Sequence, residues 1–263
     1  MTTLANALAP AMRFRPEGMS ASEWQARLEL AAFYRLAYDL GWSQTIYNHI
    51  SLALPDEEGA FLINPYGLLY SEVTASNLVK IDWNGKKLAE SEYPVNPAGF
   101  IIHSAIHKAR PDAACIIHTH SVAGMAVACK ADGLRYDNFN SAGFYGRIGY
   151  HDFQGITTDE EEKDSLVESL GPTNDVLILR NHGLLTVGPN VPETFETMWL
   201  LERACEIQLV TYSHAGPPQE IPQEVLEGYP RRRAMMNRTN DRRGGLFFAA
   251  LARKSFGSFD AIV

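Results

Sequence analysis

Two histidines stand two residues apart in the run Cys115-Ile116-Ile117-His118-Thr119-His120-Ser121. An apolar run of this kind reads as a buried strand. Strand side chains alternate faces, so His118 and His120 point one way while Ile117 and Thr119 point the other. Imidazoles about 7 Å apart along one face can converge on a single cation at metal–nitrogen distances of ~2.0–2.1 Å. They also sit where the strand empties into a loop, which is where α/β sheets place their sites. A third histidine, His182, follows a second apolar run, Val176-Leu177-Ile178-Leu179, and is flanked by Asn181 and Gly183, so the backbone turns where the imidazole projects. Three histidines with an open fourth position form the ligand set of catalytic rather than structural zinc. Two plainer readings stand beside this one. The pair could be core or surface histidines that merely alternate, and His182 could be satisfied by backbone hydrogen bonds at its turn.

The elements that must position these residues can be read from periodicity and punctuation. Ser20, with Glu23 three residues on, has the spacing of a capping box. A helical stripe follows through Leu28, Ala31, Ala32, Tyr34, Leu36 and Leu40 to a stop at Gly41. Short strand-like pieces come next at Ile50–Leu54, Phe61–Ile63 and Leu78–Trp83. The last turns at Asn84-Gly85, a hairpin signal, with Lys86–Leu88 as its return. Pro97–Arg110 reads as a helix ended by Pro111, Ala114–His120 as a strand and Val122–Cys129 as a helix. Asp159–Leu170 reads as a charged helix capped by Thr157 or Thr158. Val176–Leu179 and Leu184–Val187 read as strands, and Pro192 opens a long helix running to about Ser213. Strands interleaved with helices make an α/β layered domain, and the hairpin signals make its sheet mixed. We divide the chain into a loose N-terminal arm (1–19), the α/β domain (20–216) and a C-terminal extension (217–263).

Bulk properties narrow the function classes. At 263 residues, 46% hydrophobic and 21% charged, the chain suits one soluble globular domain with extended ends. A net charge of −8 argues against a nucleic-acid partner, because a phosphate backbone needs a basic footprint. The C-terminal run Arg231, Arg232, Arg233, Arg238, Arg242 and Arg243 reads as a solvated or inter-subunit patch. Three cysteines, Cys115, Cys129 and Cys205, make no disulfide framework and fit a reducing cytoplasm. No apolar run approaches the ~20 residues of a membrane span, and the first residues lack the pattern of a signal peptide. No H-E-x-x-H, G-x-S-x-G or glycine-rich phosphate loop is found.

The run from His103 through His107-Lys108-Ala109-Arg110-Pro111-Asp112 to His118-Thr119-His120 resembles the hallmark of the class II aldolase/adducin family, as does Leu179-Arg180-Asn181-His182-Gly183-Leu184. The likeness runs from about Arg27 to Gly216. It is nearest to the adducin head branch, whose segments Tyr150-His151-Asp152-Phe153-Gln154-Gly155 and Ala204-Cys205-Glu206-Ile207-Gln208 resemble. The resemblance implies a three-layer α/β/α sandwich around a mixed sheet, assembled as a homotetramer. It implies zinc on His118, His120 and His182, with iron(II) or manganese acceptable to similar ligands. Such a metal polarises a carbonyl so that a neighbouring carbon–carbon bond can form or break.

This sequence also departs from the family. Sugar-phosphate aldolases place a Ser-Ser-Glu run four residues before the helix histidine, for phosphate binding and proton transfer. Here Pro97-Ala98-Gly99 stands there, with no hydroxyl and no carboxylate. Asn48 and Gly67 match the substrate-loop positions, so a substrate pocket is expected to persist. For the missing acid/base group His151 is the first candidate, with Asp152 to steady it, ahead of Glu72. A structural role for His151, capping a strand or bonding Asp152, is the alternative. His103 and His107, one helical turn apart, read as packing or outer-sphere groups. Tyr47, Tyr66 and Tyr70 fall near the pocket loops without an assignable role.

The function expected is a metal-dependent lyase, aldolase- or decarboxylase-like, acting on a small hydroxy- or oxo-acid and not on a sugar phosphate. Two other readings stand beside it. One is a non-catalytic adducin-like interaction module, against which the short segment after the head region counts. The other is a metal-activated hydrolase or hydratase.

Overall fold

A computed structural model describes residues 4–155, 162–239 and 244–263. Its strands are β1 (His49–Ala53), β2 (Ala60–Ile63), β3 (Val79–Asp82), β4 (Cys115–Thr119), β5 (Ile148–His151), β6 (Val176–Leu179) and β7 (Gly183–Gly188). They form one sheet in the order β3-β2-β1-β4-β7-β6-β5. Every neighbouring pair is antiparallel except β5 and β6, which run parallel. The sheet is therefore mixed, as the hairpin signals required. Its centre is β4, flanked by β1 and β7.

The helices are α1 (Leu4–Leu8), α2 (Ala21–Asp39), α3 (Pro97–Ala109), α4 (Val122–Ala128), α5 (Phe139–Ala142), α6 (Glu162–Leu170), α7 (Val191–Ser213), α8 (Gln223–Thr239) and α9 (Gly245–Phe256). Strand alternation sorts the core into two faces. On one face Ile50, Ile117, Val176, Ile178 and Leu184 meet Leu28 and Phe33 of α2, Phe195, Met198 and Leu201 of α7, and Phe248 of α9. On the other, Ile116, Leu177, Leu185 and Val187 meet Ile102 and Ile106 of α3 and Leu166 and Leu170 of α6. The architecture is thus three layers, α/β/α.

Local signals explain where elements start and stop. Ser20 Oγ accepts the Glu23 N–H at 3.1 Å and so caps α2. The reciprocal half of a capping box does not form, because the Glu23 carboxylate pairs with Arg27 at 2.8 Å and Lys80 at 3.0 Å. Asn96 Oδ1 accepts from Ala98 N, and Pro97 opens α3. Asn190 caps α7 in the same way, with Pro192 in its first turn.

Four expectations need correction or restriction. Residues 4–14 are not a loose arm: Leu8 and Ala11 are buried, and the Ala11 carbonyl accepts from Trp24 Nε1 at 3.1 Å. The arm docks because the C-terminal segment gives it an apolar surface, with α1 packed on α9. The hairpin after β3 turns at Gly85 (φ 81°), but its return makes only the bridge Ile81–Lys87, too short for a strand. Ile148–His151 is a strand, β5, which its length of 4 residues and its glycine did not announce. Thr157, Thr158 and Asp159, the expected start of α6, lie outside the described residues, as do Arg242 and Arg243. Arg231 and Arg232 are exposed on α8.

Candidate metal centre

β4 delivers His118 within the strand and His120 just past its end. The chain then turns into α4, whose cap Ser121 accepts the Gly124 N–H at 3.0 Å. His182 arrives from the β6–β7 turn, where Asn181 takes a left-handed φ of 58°. Gly183 is required there, since a Cβ would lie 2.2 Å from the Thr119 carbonyl. That close approach brings the turn against the end of β4. His118 Nε2 lies 2.8 Å from His120 Nε2 and 3.2 Å from His182 Nε2. One nitrogen from each ring falls within 4.8 Å of the others.

The outer nitrogens decide what this convergence means. His118 Nδ1 faces the Leu184 carbonyl at 2.9 Å, which can only accept, so Nδ1 carries the proton. His120 Nδ1 faces Gln44 Oε1 at 2.8 Å and donates likewise. Their inner Nε2 atoms are therefore lone pairs directed at one another. Lone pairs that close repel unless a cation lies among them, so the donor set and its outer partners fit a divalent ion. Burial, followed by the neighbouring imidazoles, holds His118 well below the ordinary histidine range. Burial also pulls His120 down to about 4 and lowers His182. Neutral imidazole is the form that binds metal.

Gln44 is held in turn, because its backbone N–H donates to Asn48 Oδ1. Asn48 is wholly buried, and its Nδ2 has no protein partner among the described residues. It is thus a donor beside the centre still wanting an acceptor. Gly67 lies exposed in a turn at φ 103° with open space around it. Glu72 does not reach the centre: its Oε2 accepts from Leu69 N at 2.8 Å, tying it into its own turn. Tyr70 is buried, whereas Tyr47 is exposed.

His151 ends β5 and is buried, with Nδ1 3.0 Å from Ser169 Oγ and Nε2 3.3 Å from Glu162 Oε1. Asp152 does not steady it, since its side chain is 91% exposed and faces Arg180 at 3.5 Å. Glu162 takes that place. Both groups act on the neighbouring His182, the Glu162 carboxylate favouring its protonated form and His151 opposing it.

Two features went unread in the sequence. Glu202 on α7 receives the Thr119 hydroxyl at 3.0 Å and the Ser121 hydroxyl at 2.6 Å, on either side of His120. Burial pushes its carboxyl up to about 7. Its signal was a charged residue in step with Phe195, Met198 and Cys205 on a buried helical stripe. The other is His49, paired across the ladder with His118, its ring centroid 5.1 Å away. His49 also fills the space beside Gly99, where a Cβ would meet its Cγ and Cδ2 at 2.8 Å.

Comparison with known proteins agrees with this architecture. The family model described as Class II Aldolase and Adducin N-terminal domain matches residues 28–209. A Pseudomonas aeruginosa protein named for aldolase class 2 is 45% identical over 237 residues, 90% of this chain and 91% of that one. Rattus norvegicus alpha-adducin is 50% identical over 197 residues, 74% of this chain but only 27% of the adducin. Among solved structures, an aldolase II superfamily protein from Pseudomonas syringae superposes with a TM-score of 0.82 at 38% identity, over 92% of this chain and 97% of that one. The L-fuculose 1-phosphate aldolase from Glaciozyma antarctica gives 0.74 at 27% identity, over 94% of each. By its sheet, its histidine-bearing strand ends and these matches, the chain belongs to the class II aldolase/adducin family.

Proposed function

We propose that the protein is a metal-dependent carbon–carbon lyase, aldolase- or decarboxylase-like, that acts on a small hydroxy- or oxo-acid. The observation that carries this reading is the convergence of three imidazole nitrogens, two of which, on His118 and His120, are left as lone pairs by outer partners that only accept. His118, His120 and His182 would hold one divalent ion, zinc by preference with iron(II) or manganese as substitutes. Such an ion supplies Lewis-acid polarisation of a carbonyl when bound. Asn48 offers its unpaired Nδ2 to a substrate oxygen, and the Gly67 turn lines the substrate loop. His151, backed by Glu162 and Ser169, is the group proposed to move a proton near His182.

A sugar phosphate is disfavoured. Pro97-Ala98-Gly99 forms the first turn of α3, Asn96 already occupies its Ala98 N–H, and Gly99 is packed against His49. No side-chain donor is left there to hold a phosphate. Self-association as a homotetramer is part of the proposal, supported by Val122 and Phe139, which stand 85% and 83% exposed, and a cytoplasmic location is proposed from the free Cys115, Cys129 and Cys205. Among the described residues no helix is long and apolar enough to cross a membrane.

Elemental analysis of the purified protein, with a substrate panel, tests the reading. One ion per chain is expected in the wild type and a steep loss in His120→Ala. Cleavage is expected for small hydroxy- or oxo-acids rather than for fuculose 1-phosphate. Unchanged metal in His120→Ala, or efficient cleavage of the sugar phosphate, would overturn it. A second reading, a non-catalytic module like the adducin head, rests on the 50% identity with alpha-adducin. Metal without turnover of any carbonyl substrate would favour it.

A further inference from the structure

Behind the metal centre lies a second histidine system that the proposed chemistry does not use. His49 Nδ1 is 2.8 Å from His103 Nε2, and His103 Nδ1 is 2.6 Å from Ser51 Oγ. Ser51 Oγ is 2.7 Å from His107 Nε2, and His107 Nδ1 is 2.9 Å from the Ala113 carbonyl. All four side chains are at most 5% exposed, so they form one closed column between β1 and α3.

The column has only one self-consistent set of protons. A carbonyl oxygen cannot donate, so His107 Nδ1 carries a hydrogen. A buried imidazole stays neutral, and burial holds His107 near 4, so its Nε2 is a lone pair. The single Ser51 proton must then point to His107, and Ser51 Oγ must accept from His103 Nδ1–H. His103 Nε2 is therefore a lone pair as well, and His49 Nδ1 donates to it. That leaves His49 Nε2 without a proton. A column ending on a backbone carbonyl also has no group that could take a proton away, so it cannot conduct one.

We propose that this column is a tautomer clamp. The Ala113 carbonyl, acting through His107, Ser51 and His103, fixes His49 as a hydrogen-bond acceptor at the wall of the metal centre. His49 fills the space beside Gly99, where a Cβ would meet its ring. Ser51, His103 and His107 are positioning residues, acting through His49. The identification of the metal centre rests on the proposed function; the clamp itself rests only on the hydrogen-bond geometry.

Nitrogen-15 NMR of histidine-labelled protein, assigned by single substitutions, reads the tautomers directly. His49, His103 and His107 are each expected to carry the proton on Nδ1. A proton on Nε2 of His49 would overturn the clamp. Ser51→Ala should leave His49 and His103 as mixed tautomers with metal content unchanged, and Ser51→Thr, which restores a hydroxyl, should recover the single form. An unaltered single tautomer in folded Ser51→Ala would also overturn it. Should Ser51→Ala not fold, the wild-type spectrum decides alone. Metal content is measured on the same samples, so a protein that binds no metal refutes the lyase reading while the tautomers still judge the clamp.

Discussion

The protein holds two sets of three histidines, back to back across one strand pair, and they answer burial in opposite ways. In the column of His49, His103 and His107 the lone pairs of His103 and His107 each meet a donor, and the chain of bonds closes on a backbone carbonyl. In the centre of His118, His120 and His182 the donors of His118 and His120 point outward to Leu184 and Gln44, and their lone pairs are left facing one another beside His182. The first set is satisfied by protein at every nitrogen but His49 Nε2. The second presents a donor set that a cation could complete. Clustering is thus a poor guide to a metal site; what separates the two sets is where the protons go.

Acid should strain both sets, and this is the largest effect expected. Burial lowers His49 to about 3 and His107 to about 4, and holds His103 well below the ordinary range. The folded values lie below the unfolded one, so the unfolded chain binds more protons. Stability is therefore full above pH ~6.5 and falls as the pH drops toward the folded values. By pH 5.5 the three column histidines should together cost ~4 kcal/mol. Denaturant midpoints flat between pH 7 and 5 would show that the column is not held neutral.

Glu202 has the opposite sign and sharpens the contrast, because it braces the open centre rather than the closed column. Its folded value, about 7, lies above the unfolded one, so its contribution is present at low pH and lost as the pH rises toward 7. Glu202→Gln should remove a destabilisation of up to ~3 kcal/mol at pH 8 and leave stability at pH 4.5 nearly unchanged. Equal shifts at both pH values would mean that the hydroxyl bonds from Thr119 and Ser121, not the charge, set its effect.

The smallest expected effect separates the sets most cleanly. His107→Leu should cost ~1–3 kcal/mol by leaving the Ser51 hydroxyl and the Ala113 carbonyl unpaired, with metal content intact. In chelated protein His120→Ala should cost less, because removing one facing lone pair relieves repulsion. Thermal melts of both variants without metal would reverse the comparison if His120→Ala proved the more destabilised.

The convergence of His118, His120 and His182 was legible in the sequence because each histidine carries its own local cue. His118 and His120 follow the two-residue period of an apolar run, and His182 sits between a left-handed asparagine and a glycine. The sheet was legible for the same reason. The column was not, because His49 meets His103 only through the packing of α3 on β1, which one strand cannot reveal. Asp152 was the nearest acidic neighbour of His151 along the chain, yet strand alternation turns it outward and brings Glu162 from α6. The docking of residues 4–14 depends on α9, more than 200 residues away, so no local pattern could announce it.

The pairing of His49 with His118 on one rung of the β1–β4 ladder has an evolutionary consequence. Inserting or deleting one residue in β1 turns every side chain of that strand to the other face. His49 and Ser51 would leave the column together, and Ile50 would arrive beside His118. Descendants of this chain can lengthen the link between β1 and β2 freely. Within His49–Ser51 and Cys115–His120 they can change letters but not their number, so the two histidine systems must be inherited as one.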